Sequence, residues 1–403
     1  MKGALENIKV LELGAWVAAP SAGVVLGDWG AEVIKIEDPV MGDPMRGWTS
    51  VRGIEIKDVH FWFELYNRNK KSIGLDLRKE PGREIFYKMI KETDIFLSNF
   101  QGPVLENLKL DYQTLSEINP RLIYAVISGY GKKGKDTEKP GYDVTAFWAR
   151  SGILGKLTPK EGEPPVMPPI GMGDTMVGTI FAGAVSAALY TREKTGEGQE
   201  LHFSLYHAAV WAAAMDVESV LYTGSHIPQI DREMVPSPLE NNYLAKDGKW
   251  LQVTMIQSDR FWPDFCKATG IEHLMKDERF KDAPSRTANN RELISILDGI
   301  FIKKSCAEWE KIFDEHGLIC TTIHVFKDVP EDPQAKENDF FVEVAHPQVE
   351  KVKVIASPIQ FQKTPASVRV SAPEMGQHTE EILLDMGYEW EEIIAFKDKG
   401  AIN

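Results

Sequence analysis

The chain of 403 residues carries 46 basic side chains against 60 acidic ones, which gives a formal net charge of −14 at pH 7. That sign argues against a nucleic-acid-binding protein, whose electrostatic footprint is basic, and against a protein held on an anionic membrane surface. A hydrophobic fraction of 43% and a charged fraction of 26% are typical of a folded globular protein. At roughly 100–200 residues per domain, the length predicts two or three domains.

The cysteines and the amino terminus indicate a reducing, cytoplasmic location. Cys266, Cys306 and Cys320 are odd in number and match no zinc-ligand spacing, so we expect neither a disulfide framework nor a bound metal. The first residues contain no apolar signal core. The longest weakly polar stretch, 175–190, is shorter than the roughly 20 residues of a spanning helix, so no membrane partner is expected.

Strand and helix patterns alternate through the first third of the chain. Apolar runs predict strands at 8–13, 32–37, 72–77, 95–97 and 122–127. The segments between them predict helices at 20–29, 81–92 and 105–118. Strands separated by helices indicate βαβ units and a parallel sheet, and therefore an α/β fold.

The predicted elements are less regular in the rest of the chain. Loops are predicted at 129–141 and 157–169, followed by a helix at 175–190, a strand at 201–205 and a helix at 206–222. After about Gly224, a hairpin signal at Asp247-Gly248 and helical patterns at 259–269, 290–301 and 306–316 predict a smaller α+β domain. Short strands within 340–370 and helices within 377–396 complete the chain.

Asp174 is the first candidate site residue, since it follows Gly171 and Gly173 on a predicted turn. One interpretation is an N-cap, in which Asp174 accepts backbone N–H bonds at the start of the following helix. The other is a nucleophilic carboxylate on a turn whose glycines let the backbone approach a substrate closely. The spacing does not fit the dinucleotide-binding fingerprint.

The loop 129–141 is the second candidate, because it carries four glycines and four lysines within an acidic protein. It is either a solvated surface loop or a flexible cover over a polyanionic ligand such as a nucleotide phosphate. The basic tract 67–71 is a weaker candidate of the same kind. The segment 14–20, between the first strand and the first helix, lies where open α/β sheets bind phosphate or adenine groups.

Taken in order, these segments resemble the family III CoA-transferases, the formyl-CoA transferase and carnitine CoA-transferase type. The resemblance rests on Leu26-Gly27-Asp28-Trp29-Gly30-Ala31-Glu32-Val33, Gly42-Asp43-Pro44-Met45-Arg46, Asn67-x-Asn69-Lys70-Lys71, Gly141-Tyr142-Asp143 and Gly173-Asp174. It covers the whole chain and is strongest up to about residue 215. The segment 141–152 is most similar to the branch that acts on phenyllactate, 2-hydroxyisocaproate and benzylsuccinate.

The resemblance implies a chemistry. Asp174 would be the nucleophile, with Gly173 and Asp143 beside it in the catalytic group. It would attack the thioester of a donor acyl-CoA and form an aspartyl-CoA thioester, from which CoA passes to an acceptor acid. Coenzyme A and acyl-CoA are then substrates, no metal is needed, and an aromatic or branched 2-hydroxy or dicarboxylic acid is expected as acceptor.

The resemblance also implies the fold and the CoA contacts. A large Rossmann-like domain is expected at 1–224 and 326–403, with a small α+β domain at 225–325. Two chains would thread as interlocked rings into an obligate homodimer, or pair with a homologous subunit. The residues implied to contact CoA are Val17, Ala18, Arg46, Leu75, Leu77, Arg78, Asn99, Phe100, Lys139 and Tyr142.

Three positions depart from the family pattern. Asn107 lies where members often carry an arginine, and Asp38 where the formyl-CoA enzyme has a basic residue. The glycine-rich flap of that enzyme is replaced by Val235-Pro236-Ser237-Pro238, which disfavours oxalate or formate as substrate. The CoA phosphates would then meet Arg46, Arg78 or the loop lysines.

Two alternatives remain at this point. Acyl-CoA racemases of the same superfamily move an α proton with a histidine–aspartate pair, and their histidine falls at Tyr142 here. Tyrosine has a reference pKa near 10 and is a poor base at neutral pH, so transfer is favoured over racemisation. The second alternative is a non-catalytic CoA-binding subunit, which the intact Gly173-Asp174 pair argues against.

Overall fold

The computed structural model describes residues 3–159 and 162–403. The chain folds into two compact units, one formed by Met1–His226 with Gln334–Asn403 and the other by Ile227–Pro333. The domain ranges drawn from the sequence, 1–224 with 326–403 and 225–325, stay a prediction.

The first unit is built on strands separated by helices. Its strands up to residue 226 are β1 (Lys9–Leu13), β2 (Glu32–Glu37), β3 (Ser50–Val51), β4 (Ile54–Glu55), β5 (Lys70–Gly74), β6 (Ile95–Ser98), β7 (Ile123–Ser128) and β8 (Gln199–Ser204). Its helices are α1 (Ala18–Asp28), α2 (Phe61–Asn67), α3 (Glu80–Ile90), α4 (Gly102–Asn107), α5 (Tyr112–Ile118), α6 (Ile153–Leu157), α7 (Met172–Thr195), α8 (Leu205–Ala212) and α9 (Ala214–Thr223). A π-helical turn spans Asp143–Ala149.

Six of these strands form one parallel sheet in the order β5-β2-β1-β6-β7-β8. Counted by their sequence within the sheet, this is the order 3-2-1-4-5-6 of the Rossmann fold. The predicted α/β class with a parallel sheet is therefore confirmed. The strand order reverses direction between β1 and β6, and ligands of such sheets bind at this switch point, at the carboxyl ends of the strands.

The sheet is covered on both faces because alternate residues of its strands point to opposite sides. Val10, Ile95 and Ile123 pack with α1, α7 and α8 on one face. Leu11, Phe96 and the helices α3, α5, α15 (Thr379–Asp385) and α16 (Trp390–Asp398) pack on the other. The last two helices come from the carboxyl-terminal return of the chain, which also holds α14 (Pro333–Glu337) and the antiparallel pair β12 (Phe341–Ala345) and β13 (Lys351–Ile355).

The second unit is the smaller α+β unit. Its antiparallel sheet has the order β11-β10-β9, with β9 (Glu240–Leu244), β10 (Trp250–Thr254) and β11 (Cys320–Thr322). The predicted turn at Asp247-Gly248 joins β9 to β10, and Gly248 has a φ of 76°. The helices are α10 (Ser258–Thr269), α11 (Ala283–Ala288), α12 (Asn290–Phe301) and α13 (Cys306–Glu315).

Several predicted elements have different bounds. The helix predicted at 105–118 is two helices, because Lys109 has a φ of 59° and the Asp111 carboxylate caps a new helix by accepting a bond from the Thr114 N–H. The helix predicted at 206–222 breaks at Ala213, and the strand predicted at 72–77 lies at 70–74. Residues 160 and 161 of the predicted loop 157–169 lie outside the described residues.

Candidate active site

A cavity of 990 Å³ opens in the first unit at the switch point of the sheet. It is lined by the segment after β1, the ends of β2 and β6, the loop 129–142 and the side chain of Asp174. Its size suits a long ligand rather than a single small acid, since ligand sites range over about 300–1,000 Å³.

The segment 14–17 forms one wall of the cavity, and side chains hold its backbone in place. Asn99 makes two hydrogen bonds to Ala15: its Oδ1 accepts from the N–H at 3.0 Å and its Nδ2 donates to the carbonyl at 2.8 Å. The N–H of Trp16, whose φ is 64°, donates to Oδ1 of Asp43 at 3.2 Å. The wall is therefore fixed before a ligand arrives, which lowers the entropic cost of binding.

Four buried charges support this wall from behind. Lys35 donates to the Gly14 carbonyl at 2.8 Å and pairs with Asp43 at 2.9 Å and Glu12 at 3.2 Å. Lys70 pairs with the other oxygen of Glu12 at 2.7 Å. Burial acts to lower the pKa of Lys35, but the carboxylates of Asp43 and Glu12 outweigh it and raise that pKa. For Lys70 burial dominates, and its pKa falls to about 8.

Asp174 lies in the first turn of α7, and the interpretation of Asp174 as the N-cap is wrong. The N-cap is Gly171, whose φ of 63° lets the chain turn sharply into the helix. Asp174 therefore faces the cavity from a turn whose N–H groups carry the positive end of the helix dipole. Among the described residues none donates a hydrogen bond to its carboxylate.

The electrostatics of Asp174 are those of a crowded carboxyl group. Burial, and next the nearby carboxylate of Asp143, raise the pKa of Asp174 to about 7. Two carboxyl groups that share a site cannot both ionise easily, and a shifted pKa in a cleft marks functional sites. This group is poised to exist in both protonation states near neutral pH.

Asp143 begins the π-helical turn and lies buried beneath the start of α7. Burial raises the pKa of Asp143, and the indole of Trp148 with the backbone N–H groups of Gly171, Gly173 and Asp174 opposes that rise. Neither oxygen completes a hydrogen bond of regular geometry with any described residue. Asp143 and Gly173 do not line the cavity, so Asp143 acts on Asp174 through its charge.

Most of the residues predicted to contact CoA line this cavity. They are Val17, Ala18, Leu75, Leu77, Arg78, Asn99, Phe100, Lys139 and Tyr142. Arg46 is not among the lining residues, because Glu37 accepts two hydrogen bonds from its guanidinium, at 2.8 and 2.7 Å, and the Pro373 carbonyl accepts a third. The predicted contact of Arg46 with phosphate stays a prediction that this pairing disfavours.

Three cationic side chains line the cavity. Arg78 is shared between Asp76 at 2.7 Å and Asp38 at 2.9 Å, and Lys132 pairs with Glu200. Lys139 has no ion-pair partner among the described residues, and its ammonium lies 5.6 Å from the centre of the Tyr130 ring. Lys139 is therefore the cation most available to an anionic ligand.

Aromatic side chains form part of the cavity wall. Phe147 and Trp148 are buried in the core beside α7 and do not line the cavity. Trp16 does, and it continues into Trp48 and Trp62, with ring centres 5.1 and 6.3 Å apart along the series. Trp16 could be suspected from its place after β1, but only the fold joins it to the other two rings.

Two further findings concern alternative kinds of site. Within the described residues no group of three or more His, Cys, Asp or Glu side chains is arranged to hold a metal ion. One described helix, α7, is long and apolar enough to cross a membrane by length and composition, a test that core helices also pass. Its buried face packs against α1 in the first unit.

Comparison with known proteins identifies the family. The sequence profile of CoA-transferase family III matches residues 5–379. The chain belongs to CoA-transferase family III. The family predicted from the sequence motifs is thereby confirmed, and the enzyme is a CoA-transferase.

Curated relatives of this CoA-transferase extend over its whole length. It is 34% identical to the (R)-2-hydroxy-4-methylpentanoate CoA-transferase of Clostridioides difficile over 99% of both chains. It is 35% identical to the cinnamoyl-CoA:phenyllactate CoA-transferase of Clostridium sporogenes, over 96% of this chain and 94% of that one. Both relatives fall in the branch that the sequence pattern indicates.

Solved structures have the same fold. A mutant of Rv3272 from Mycobacterium tuberculosis superposes with a TM-score of 0.82 at 30% identity, covering 95% of this chain and 99% of that one. A CAIB/BAIF family protein from Brucella suis superposes with a TM-score of 0.81 at 28% identity, covering 96% of this chain and all of the other.

Proposed function

We propose that this enzyme moves CoA from an acyl-CoA donor to an aromatic or branched 2-hydroxy or dicarboxylic acid through a covalent aspartyl-CoA thioester on Asp174. One observation carries the proposal: Asp174 presents to a cavity large enough for CoA a carboxyl group with a raised pKa, which accepts no hydrogen bond from the described part of the chain. A carboxylate in such a place is a suitable covalent nucleophile.

The steps balance without an external energy source. The Asp174 carboxylate attacks the thioester carbonyl, the C–S bond breaks, and a mixed anhydride and a CoA thiolate result. The thiolate attacks the aspartyl carbonyl, the anhydride C–O bond breaks, and the donor acid leaves as its carboxylate. The acceptor carboxylate then attacks the aspartyl-CoA thioester, and the same steps in reverse give the new acyl-CoA and free Asp174.

The positive end of the α7 dipole supports the charges that form in these steps. Each attack places negative charge on a carbonyl oxygen beside Asp174. The amino end of a helix is electropositive and favours such charge. Asp174 lies in the first turn of α7, where this field acts, while the N–H groups of Gly173 and Asp174 interact with Asp143.

The substrate class is argued from the cavity wall and from the relatives. Trp16 and the leucines 13, 75 and 77 give the cavity an apolar lining, which suits an aromatic or branched chain. The relatives are named for (R)-2-hydroxy-4-methylpentanoate and phenyllactate, and others for D-citramalate and glutarate with succinyl-CoA. We extend that class of acids, and the predicted CoA contacts, to this enzyme.

We further propose a homodimer of interlocked chains, with a homologous second subunit as the alternative partner. The surface of α8 and α9 supports association, since Trp211, Met215, Leu221 and Tyr222 are 72–86% exposed. Large apolar side chains grouped in this way are typical of a protein interface. A monomer in analytical ultracentrifugation would contradict this proposal. We retain the cytoplasm as the location, with neither membrane nor nucleic acid as a partner.

The test is mass spectrometry of the protein after incubation with acetyl-, succinyl-, cinnamoyl- and isocaproyl-CoA, with hydroxylamine or borohydride as trap. We expect a mass change on the peptide that holds Asp174 in the wild type and in Asp264→Asn, a helical control in the second unit whose side chain is half-exposed, and none in Asp174→Asn. A wild type that binds CoA without labelling would overturn the mechanism. Deuterium exchange at the α carbon would then indicate the racemase, and its absence the non-catalytic subunit.

A further inference from the structure

Tyr66 lies next to the active site without lining its cavity. It is carried by α2 and is 6% exposed, in a small cluster with Val17, Met45 and Phe63. Its hydroxyl oxygen lies 2.7 Å from Oγ1 of Thr175, the residue that follows the proposed nucleophile.

The direction of this hydrogen bond follows from the partners. Oγ1 of Thr175 donates its single proton to the Gly171 carbonyl at 2.7 Å, so it can only accept from Tyr66. Two hydrogen bonds therefore follow one another: the Tyr66 hydroxyl donates to Oγ1 of Thr175, and Oγ1 of Thr175 donates to the Gly171 carbonyl. The N–H of Thr175 donates to the same carbonyl at 2.9 Å and closes the turn.

These two hydrogen bonds hold the turn that carries Asp174. The turn from Gly171 to Thr175 begins in the left-handed region and carries Asp174. It is held from α1 by the Ser21 hydroxyl, which donates to the Thr175 carbonyl at 3.2 Å, and from α2 by Tyr66. A β-carbon on Gly171 would lie 3.7 Å from both the Tyr66 hydroxyl and a methyl carbon of Val17, so the contact is close on this side too.

The surroundings keep Tyr66 in its donating form. The charged groups that face it are the carboxyl groups of Asp174 and Asp143, and burial is the largest influence. Both effects raise the pKa of Tyr66, and the hydrogen bond with Thr175 opposes this rise without reversing it. A buried hydroxyl whose acceptor is Thr175 keeps its hydrogen bond, because breaking that bond would leave a buried polar group unsatisfied.

We propose that Tyr66 is a positioning residue for the transfer reaction: its hydroxyl, through Thr175, fixes the turn that aims the Asp174 carboxylate at the thioester. The inference rests on the proposed role of Asp174 as nucleophile. Misplacement of a reacting group by about 1 Å costs about 100-fold in rate. Loss of the hydrogen bond between Tyr66 and Thr175 therefore affects the chemical step more than the binding of acyl-CoA.

The experiment compares Tyr66→Phe with Thr175→Val and Thr175→Ser. For Tyr66→Phe we expect kcat and the single-turnover rate of aspartyl-CoA formation to fall about 10-fold or more, with KM for acyl-CoA within about twofold of the wild type. Thr175→Val should act alike, the double variant should lose little more, and Thr175→Ser should recover most of the rate because it keeps the oxygen.

Tyr243→Phe is the matched control. Its hydroxyl is also buried and donates to a backbone carbonyl, that of Pro238, at 2.6 Å, but it lies in the second unit. It should lose stability without losing kcat. A folded Tyr66→Phe enzyme that labels Asp174 at the wild-type rate would overturn the inference. If Tyr66→Phe does not fold, equal labelling rates for Thr175→Val and Thr175→Ser would overturn it instead. Failure of the wild type to label would instead overturn the proposed function.

Discussion

A β-carbon on Gly173 would overlap Oδ1 of Asp143, so the buried carboxyl group occupies the space that a side chain at position 173 would need. Gly173 is required here for space rather than for its backbone angles, since its φ is that of an ordinary helix. The contact ties the π-helical turn to the start of α7. It also keeps the Asp143 carboxyl group behind the proposed nucleophile.

Gly173→Ala is therefore expected to displace Asp143 and the start of α7 together. We predict a fall in kcat of about 100-fold, the size that follows when a reacting group moves by about 1 Å. Gly299→Ala is the control, because that helical glycine has open space around its β-position and alanine is the better helix former. Steady-state turnover of both variants measures the difference. Wild-type activity in Gly173→Ala would show that the overlap is relieved without cost.

The reaction should depend on the ionisation of Asp174. Only the carboxylate is nucleophilic, so the rate of aspartyl-CoA formation at low acyl-CoA should rise with pH, with a midpoint near the pKa of about 7. Asp143→Asn removes the neighbouring charge that raises this pKa, and should move the midpoint to lower pH. Rapid-quench labelling across pH 5–9 measures both profiles. An unmoved midpoint in Asp143→Asn would leave burial alone as the cause.

The same ionisation affects stability with a defined sign. The folded pKa of Asp174 lies above the unfolded value near 3.9, so folding favours the proton and stability falls as pH rises from about 4 to about 7. Asp174→Asn stays neutral and should be more stable than the wild type at pH 8, by at most about 4 kcal/mol, and nearly equal at pH 4. Urea unfolding at the two pH values measures the gap. A gap that does not change with pH would contradict the raised pKa.

The buried charges behind the cavity wall should be needed for folding. Lys35→Met leaves Glu12 and Asp43 without this partner in the protein interior, which costs about 3–5 kcal/mol. Lys57→Met is the control, since its pair with Glu55 is solvent-exposed and is worth less than about 1 kcal/mol. Chemical denaturation of the two variants compares a buried pair with an exposed one. Similar losses in both would show that the buried network is not a source of stability.

Lys139 should contribute to the binding of the anionic part of acyl-CoA. Lys139→Ala removes a cavity cation that forms no ion pair with any residue that the structure describes, and a charge-assisted hydrogen bond is worth about 1.5–3 kcal/mol. We expect KM for acyl-CoA to rise about 10-fold or more with kcat little changed. Lys133→Ala, in the same loop but outside the cavity lining, should leave KM within about twofold. An equal rise in KM for the two variants would indicate that the summed positive charge of the loop, rather than Lys139 in particular, attracts acyl-CoA.

The sequence by itself determined the fold class, the family and the position of the proposed nucleophile. Apolar strands that alternate with helices predict a parallel sheet, because the helices cover both faces of each strand. Motifs such as Gly173-Asp174 are local, since the glycines and the carboxylate are neighbours in the chain. The helix breaks at Lys109 and Ala213 were missed by the periodicity because apolar spacing continues through both breaks.

Only the tertiary structure decided what surrounds Asp174. Asp143 and Asp174 meet because the π-helical turn packs against α7, and Tyr66 reaches Thr175 across 109 positions of sequence. Arg46 looks like a free phosphate ligand in the sequence, but Glu37 holds its guanidinium. Burial and the distance between charges set the pKa of a carboxyl group, and neither quantity exists until distant segments are packed together.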